Sequence, residues 1–131
     1  MTPLATPERA ILTFFYLGTP ASVGIARKAA GRTALAWGLG ASKAENVELV
    51  VSELVTNAVE AAGHGEIQVT LSAGGQGRIA IEVRDQSPNV PTVMRPGLLD
   101  EQGRGLMIVE ILSVRCGVHW DHGRKVVFAV L

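Results

Sequence analysis

The sequence has very little cysteine, no excess charge of either sign and no long apolar run. Cys116 is the one cysteine among 131 residues, so it cannot form an internal disulfide. The 12 basic and 12 acidic residues give a formal net charge of zero, which excludes the electrostatic footprint of a protein that binds nucleic acid or an anionic membrane. No stretch approaches the about 18 consecutive apolar residues of a membrane span. These scarcities predict a cytoplasmic protein without direct nucleic-acid or membrane contacts.

Apolar residues are abundant enough for one packed domain. Hydrophobic residues make up 47% of the chain and charged residues 18%, which favours a folded core over disorder. A length of 131 residues suits a single domain over residues 1–131. The stretch AILTFFYLG faintly resembles a signal peptide, but Glu8 cancels Arg9 in the would-be basic region and the apolar run is short. We expect a first strand there instead.

The first half of the chain predicts one strand followed by two helices. Residues 11–17 are rich in β-branched and aromatic types, which favours a strand. A helix over roughly 20–37 is predicted from Thr19 as its cap and Pro20 at its first position.

The second helix carries clear start and stop signals. Ser42 reads as its N-cap and Glu45, three residues later, completes a capping box. Gly63 reads as the terminator. These signals predict a helix over about 43–62.

The second half predicts two hairpins separated by a long loop and a helix. EIQVTLSA and RIAIEVRD alternate and are joined by GGQG, as in a β-hairpin. Residues 86–102 hold three prolines and no periodicity, which indicates a functional or a disordered loop. Helical spacing resumes in GRGLMIVEILSV, and GVHWDHGRKVVFAVL closes the chain as a second hairpin. The order predicts a two-layer α/β sandwich whose mixed, mostly antiparallel sheet carries its helices on one face.

Three places combine residue types that suit nucleotide chemistry. Glu53 and Asn57 lie four residues apart, hence on one helix face, where the amide could ligate Mg²⁺ and the carboxylate could accept a proton. Asp85 follows the inward residues of its strand, and a buried carboxylate needs donors such as an exocyclic amine. Gly103 and Gly105 flank a helix start, where free N–H groups attract phosphate.

Each place also has an ordinary structural explanation. Glu53 and Asn57 can point to solvent, and Asn57 can bond locally. Asp85 can serve as a residue of a strand-end turn. The glycines can form a common helix entry, since they match neither a Walker A motif nor a dinucleotide-binding fingerprint.

In combination, these features resemble the GHKL ATPase superfamily, and within it the bacterial anti-sigma factor serine/threonine kinases. The resemblance covers roughly residues 11 to 131 and rests on four stretches: ELVTNAV for the N box, VRDQSPNVP and GRGLMIVEIL for the two glycine-box regions, and GRKVVFAVL for the closing strand.

The resemblance implies a Bergerat ATP-binding fold that binds ATP and Mg²⁺. It implies that Asn57 ligates the metal, that Glu53 is the general base and that Asp85 holds the adenine amine. The phosphates would meet Gly103, Arg104 and Gly105, with residues 86–102 as a lid.

The sequence departs from the family pattern at three positions. Ala61 stands where a histidine is frequent, and Ser87 stands where the first glycine box usually has a glycine. Lys125 stands where a threonine commonly supports the adenine contact. These departures bear on nucleotide affinity rather than on fold.

The resemblance implies a kinase that regulates transcription by switching partners. It would sequester a sigma factor and phosphorylate a STAS-domain anti-sigma factor antagonist, and it could form a homodimer. A non-catalytic docking module that holds nucleotide, or none, is the alternative. A detached histidine-kinase catalytic domain is a third interpretation, disfavoured because no phosphoacceptor helix pair is present.

Overall fold

Eight helices and strands make up the part of the chain that the computed structural model describes, residues 10–62, 65–86 and 104–131. No helix in these ranges is long and apolar enough to cross a membrane. In chain order the elements are β1 (Ile11–Leu17), α1 (Pro20–Ala36), α2 (Ala41–Ala62), β2 (Glu66–Ala73), β3 (Ile79–Asp85), α3 (Arg104–Leu112), β4 (Arg115–Asp121) and β5 (Arg124–Val130).

The five strands form one open sheet in the order β1-β2-β3-β5-β4. Each neighbouring pair is antiparallel, so the sheet is antiparallel throughout the described residues rather than mixed. Both predicted hairpins are present, as β2–β3 and β4–β5. The predicted α/β fold with helices packed on the sheet is confirmed.

One face of the sheet is buried beneath the helices, and strand alternation decides which residues lie there. Along β2 and β3 every second residue is buried, and the residues between are only partly covered. This alternation follows from the two-residue repeat of a strand. The resulting core joins three small residues of α1, the apolar face of α2 and the inner residues of the central strands: Ala26, Ala30, Ala34, Val47, Val51, Leu54, Val55, Ala58, Ile67, Val69, Leu71, Ile81, Val83 and Ala129.

The helix starts agree with the sequence prediction for α1 and correct it for α2. Thr19 occupies the N-cap of α1 in an extended conformation, with Pro20 directly after it. Helix α2 begins at Ala41, so Ser42 lies inside its first turn and is not the N-cap. The first hydrogen bond of the helix is accepted by Gly40, two residues before Ser42, because the Ala44 amide donates to the Gly40 carbonyl at 3.0 Å.

Two predicted features lie outside the described residues. Nearly all of the loop predicted over 86–102 falls in residues 87–103, which the structure does not describe. Gly63, the predicted terminator of α2, also lies outside the described residues. The fold that positions the site is therefore given by α2, the hairpin β2–β3, the start of α3 and the hairpin β4–β5.

Candidate functional site

Helix α2 presents two polar side chains between its buried residues. Glu53 and Asn57 are both half-buried, whereas Leu54, Val55 and Ala58 lie in the core. Among the described residues, neither polar side chain takes part in a hydrogen bond or ion pair. One side of the helix is therefore core, and an adjoining strip carries a carboxylate and an amide that local structure does not use.

Asp85 is a buried carboxylate at the end of β3. Its side chain is only 2% exposed. It follows Ile81 and Val83 on the inward face, as the alternation predicted. Burying a charge is costly unless the group has partners, so the position calls for donors nearby.

Lys125 of β5 supplies one of those donors. Its Nζ atom lies 3.4 Å from Oδ2 of Asp85, and its side chain is 20% exposed. The sheet register explains the contact: Arg84 pairs with Val126, so the next residue, Asp85, faces Lys125. The residue that replaces the family's usual threonine thus forms an ion pair with the carboxylate expected to hold adenine.

Trp120 of β4 extends the same row of residues. Trp120 pairs with Lys125 across the β4–β5 ladder. Its indole Nε1 is buried and has no hydrogen-bond partner in the described part of the chain. A buried N–H without a partner costs free energy, so this donor is an unsatisfied feature of the site.

The phosphate side of the predicted site is described only in part. Gly103 lies outside the described residues. Arg104 and Gly105 are the first two residues of α3, so the predicted helix start is present there. Within the described ranges, no group of three or more His, Cys, Asp or Glu side chains could hold a metal ion.

The thiol of Cys116 lies on the helix-facing side of β4, beside the core. Burial raises the pKa of Cys116, and the negative charge of Glu110 raises it further. A raised pKa keeps the thiol protonated at neutral pH, and the thiolate is the reactive form. The surroundings of Cys116 therefore do not activate it as a nucleophile.

Helix α2 packs against β2, β3 and α3, so the pieces of the candidate site belong to elements in mutual contact. A family model for the histidine kinase-like ATPase domain matches residues 17–130. The chain belongs to this family. A search of curated proteins gave no match.

Membership in the histidine kinase-like ATPase family supports ATP binding, typically with Mg²⁺, and ATP-dependent kinase or ATPase chemistry in general. The residues present fit such a ligand. The buried Nε1 of Trp120 lacks an acceptor in the described region, and the Asn57 amide and Glu53 carboxylate are uncommitted there. Asn57 would hold Mg²⁺, and Asp85 would hold the base.

The sequence analysis did not select Trp120 as a candidate site residue. Two-residue hairpin loops have recognisable sequences, and His122-Gly123 is the loop of the β4–β5 hairpin. Counting outward from that loop pairs Asp121 with Arg124 and then Trp120 with Lys125. The sequence therefore indicates that Trp120 pairs with Lys125. The relevance of that pairing to the site depends on Asp85 lying beside Lys125, which the sequence does not show.

Proposed function

We propose that this histidine kinase-like ATPase domain is an ATP-dependent protein serine/threonine kinase that acts as an anti-sigma factor. Its substrate would be a serine on a STAS-domain antagonist, and its second partner would be a sigma factor. The observation that carries the kinase part is the pairing of Glu53 and Asn57, uncommitted and half-buried, on the helix that floors the site.

The two side chains would divide the work over one helical turn. Asn57 offers a neutral oxygen ligand for Mg²⁺, which prefers oxygen and usually retains waters and phosphate oxygens. Glu53 would accept the proton of the partner's serine hydroxyl as it attacks. ATP supplies the phosphoryl group, and the protein contributes positioning and charge stabilisation.

Partner switching would follow from the charge that transfer adds. A phosphoserine carries about −1.5 to −2 charges at neutral pH, which disrupts a contact surface that was built for a neutral hydroxyl. The antagonist would leave after modification, and the freed surface would hold the sigma factor. The subtype and both partners are supported by the motif resemblance, and cytoplasmic action is supported by the scarcity of cysteine.

A non-catalytic docking module is the second candidate, and the Asp85–Lys125 ion pair favours it. A carboxylate already engaged by a cation at 3.4 Å is a poorer partner for an adenine amine if the cation must leave. In that case the domain would regulate by binding alone.

Phosphoryl transfer separates the two candidates. The protein is incubated with labelled ATP, Mg²⁺ and STAS-domain proteins encoded nearby, and label on the STAS protein is measured. Glu53→Gln keeps the side-chain shape but removes the base, so transfer should fall roughly 10²- to 10⁴-fold while ATP affinity changes little.

Glu60→Gln is the matched control, because Glu60 is an exposed residue of the same helix. It should transfer at the parent's rate. If Glu53→Gln also transfers at that rate, Glu53 is not the base. A parent protein that labels no STAS partner but binds a sigma factor would establish the docking module.

A further inference from the structure

Asp85, Lys125 and Trp120 occupy one cross-strand row at the end of three adjacent strands. The order β3-β5-β4 places them side by side, and the row continues to the core residue Ile67 of β2. Directly opposed residues project to the same face of a sheet. The three polar groups therefore share the helix-covered face with the buried core.

Their ion pair leaves Asp85 and Lys125 chemically capable of binding a ligand together. A carboxylate has about four lone-pair sites and an ammonium has three N–H donors. The contact at 3.4 Å engages at most one of the three ammonium donors, so Lys125 keeps donors for a ligand beside the carboxylate. The pair thus presents an acceptor next to a donor, and Lys125 need not leave for a ligand to bind.

Trp120 adds a second donor beyond Lys125. Its buried Nε1–H has no acceptor among the described residues, which marks a position where a ligand would complete the hydrogen bonding. Indole nitrogen only donates, so the ligand atom opposite must be an acceptor. From Asp85 through Lys125 to Trp120, the row therefore offers one hydrogen-bond acceptor followed by two donors.

Resting on the proposed nucleotide binding, we infer that this row reads the base edge and that Lys125 and Trp120 determine its specificity. The adenine edge presents its exocyclic amine, then N1, then N3, which is donor, acceptor, acceptor. Asp85 accepts from the amine, Lys125 donates to N1 and Trp120 donates to N3. The lone pairs of N1 and N3 diverge, which suits donors from two strands about 4.8 Å apart.

The same order rejects other bases. Guanine presents a carbonyl where adenine has its amine and an N–H donor where adenine has N1, so it opposes the first two members of the row, and uracil likewise begins with a carbonyl followed by an N–H. Cytosine matches the order but is a single ring. A site built to hydrogen-bond a group discriminates strongly against analogues that leave its buried polar atoms unpaired.

Calorimetric affinities for a set of analogues test the assignment on the unmodified chain. With Mg²⁺ present, 1-deaza-ATP and 3-deaza-ATP should each bind roughly 10-fold or more weakly than ATP. GTP should bind at least about 100-fold more weakly. The control is 7-deaza-ATP, which alters an atom outside the row and should bind within about 3-fold of ATP.

Two variants assign each contact to its residue. Lys125→Met keeps the side-chain length and should abolish only the ATP preference over 1-deaza-ATP. Trp120→Phe keeps a large ring and should abolish only the preference over 3-deaza-ATP. Lys43→Met, near the start of α2, controls for loss of a positive charge and should preserve both preferences.

The outcomes separate this inference from the proposed function. If ATP binds but the 1-deaza and 3-deaza analogues bind equally well, the assignment is overturned and nucleotide binding stands. The assignment is also overturned if Lys125→Met and Trp120→Phe leave intact the preferences for ATP over 1-deaza-ATP and over 3-deaza-ATP. If no nucleotide binds at millimolar concentration, nucleotide binding itself fails, and the base-reading role fails with it.

Discussion

At the scale of single residues, two glycines of α1 have opposite surroundings. A Cβ atom built on Gly31 would lie 2.7 Å from Cγ of Glu48 on α2, a distance that real Cβ contacts do not reach. A Cβ on Gly24 would meet nothing within 4 Å. Gly31 therefore leaves room for the Glu48 side chain of α2, whereas Gly24 has no such packing reason.

Alanine at these two positions should change stability in opposite directions. Gly24→Ala should raise the free energy of unfolding by about 0.5–1 kcal/mol, because glycine is a poor residue in a helix interior. Gly31→Ala should lower it, since overpacking costs about 1–3 kcal/mol. Urea unfolding measures both changes.

Glu48→Ala supplies the control for the Gly31 effect. In that background Gly31→Ala should no longer destabilise, because the atoms it would meet are gone. If Gly31→Ala is equally harmful with and without the Glu48 side chain, crowding against Glu48 is not the cause.

At the scale of elements, an ion pair ties β3 to β4 across the strand between them. Nη2 of Arg84 lies 2.6 Å from Oδ2 of Asp121, and His122 contacts the other carboxylate oxygen. The hydrogen bond from Arg84 is the main reason that the pKa of Asp121 lies below its usual value. A lowered pKa means that the folded state favours the charged carboxylate.

The pair should therefore stabilise the sheet at neutral pH and lose its effect in acid. Its contribution is complete above the unfolded pKa of about 3.9 and declines as pH falls through the lower folded value. Asp121→Asn should have a lower Tm than the parent at pH 7, and the gap should narrow toward about pH 3. A gap that is unchanged or wider in acid would contradict this role.

The β4–β5 hairpin depends on a two-residue loop with left-handed backbone. His122 has φ of 53° and Gly123 has φ of 78°. Positive φ at both loop positions matches the right-handed twist of a hairpin and favours Asn-Gly. The loop matters for the site because it sets the register that pairs Trp120 with Lys125.

Gly123→Ala should destabilise the protein by about 1–2 kcal/mol, because an L side chain at that φ is strained. His122→Asn should be neutral or stabilising, since asparagine tolerates the left-handed region. Thermal unfolding of the two variants measures both changes in stability. Equal effects of the two substitutions would show that backbone strain does not control this loop.

At the scale of the whole molecule, ATP should stabilise the fold by linkage. A ligand that binds only the native state at 100 times its Kd adds about 2.7 kcal/mol. For a domain of this size, that is a rise in Tm of the order of 10 °C. Asp85→Asn should reduce the shift, because it replaces an acceptor with a donor facing the amine. An absent shift with millimolar ATP and Mg²⁺ would argue against nucleotide binding.

The sequence alone determined most of the elements and the family. Strand alternation and helical spacing are local, so β1, α1 and both hairpins were predicted close to their observed limits. The predicted start of α2 was wrong. Ser42 satisfies a local capping pattern, but the carbonyl that begins the helix is that of Gly40. Glu53, Asn57 and Asp85 were selected as candidate site residues because their motifs are contiguous in the sequence.

Only the tertiary structure decided how the base end of the candidate site is built. Lys125 is 40 positions from Asp85 along the chain, and their ion pair arises because β5 lies between β3 and β4. The unsatisfied donor of Trp120 likewise depends on burial, which a local pattern does not report. Sheet order is set by the packing of all the strands and helices together, so the acceptor–donor–donor row exists only in the folded chain.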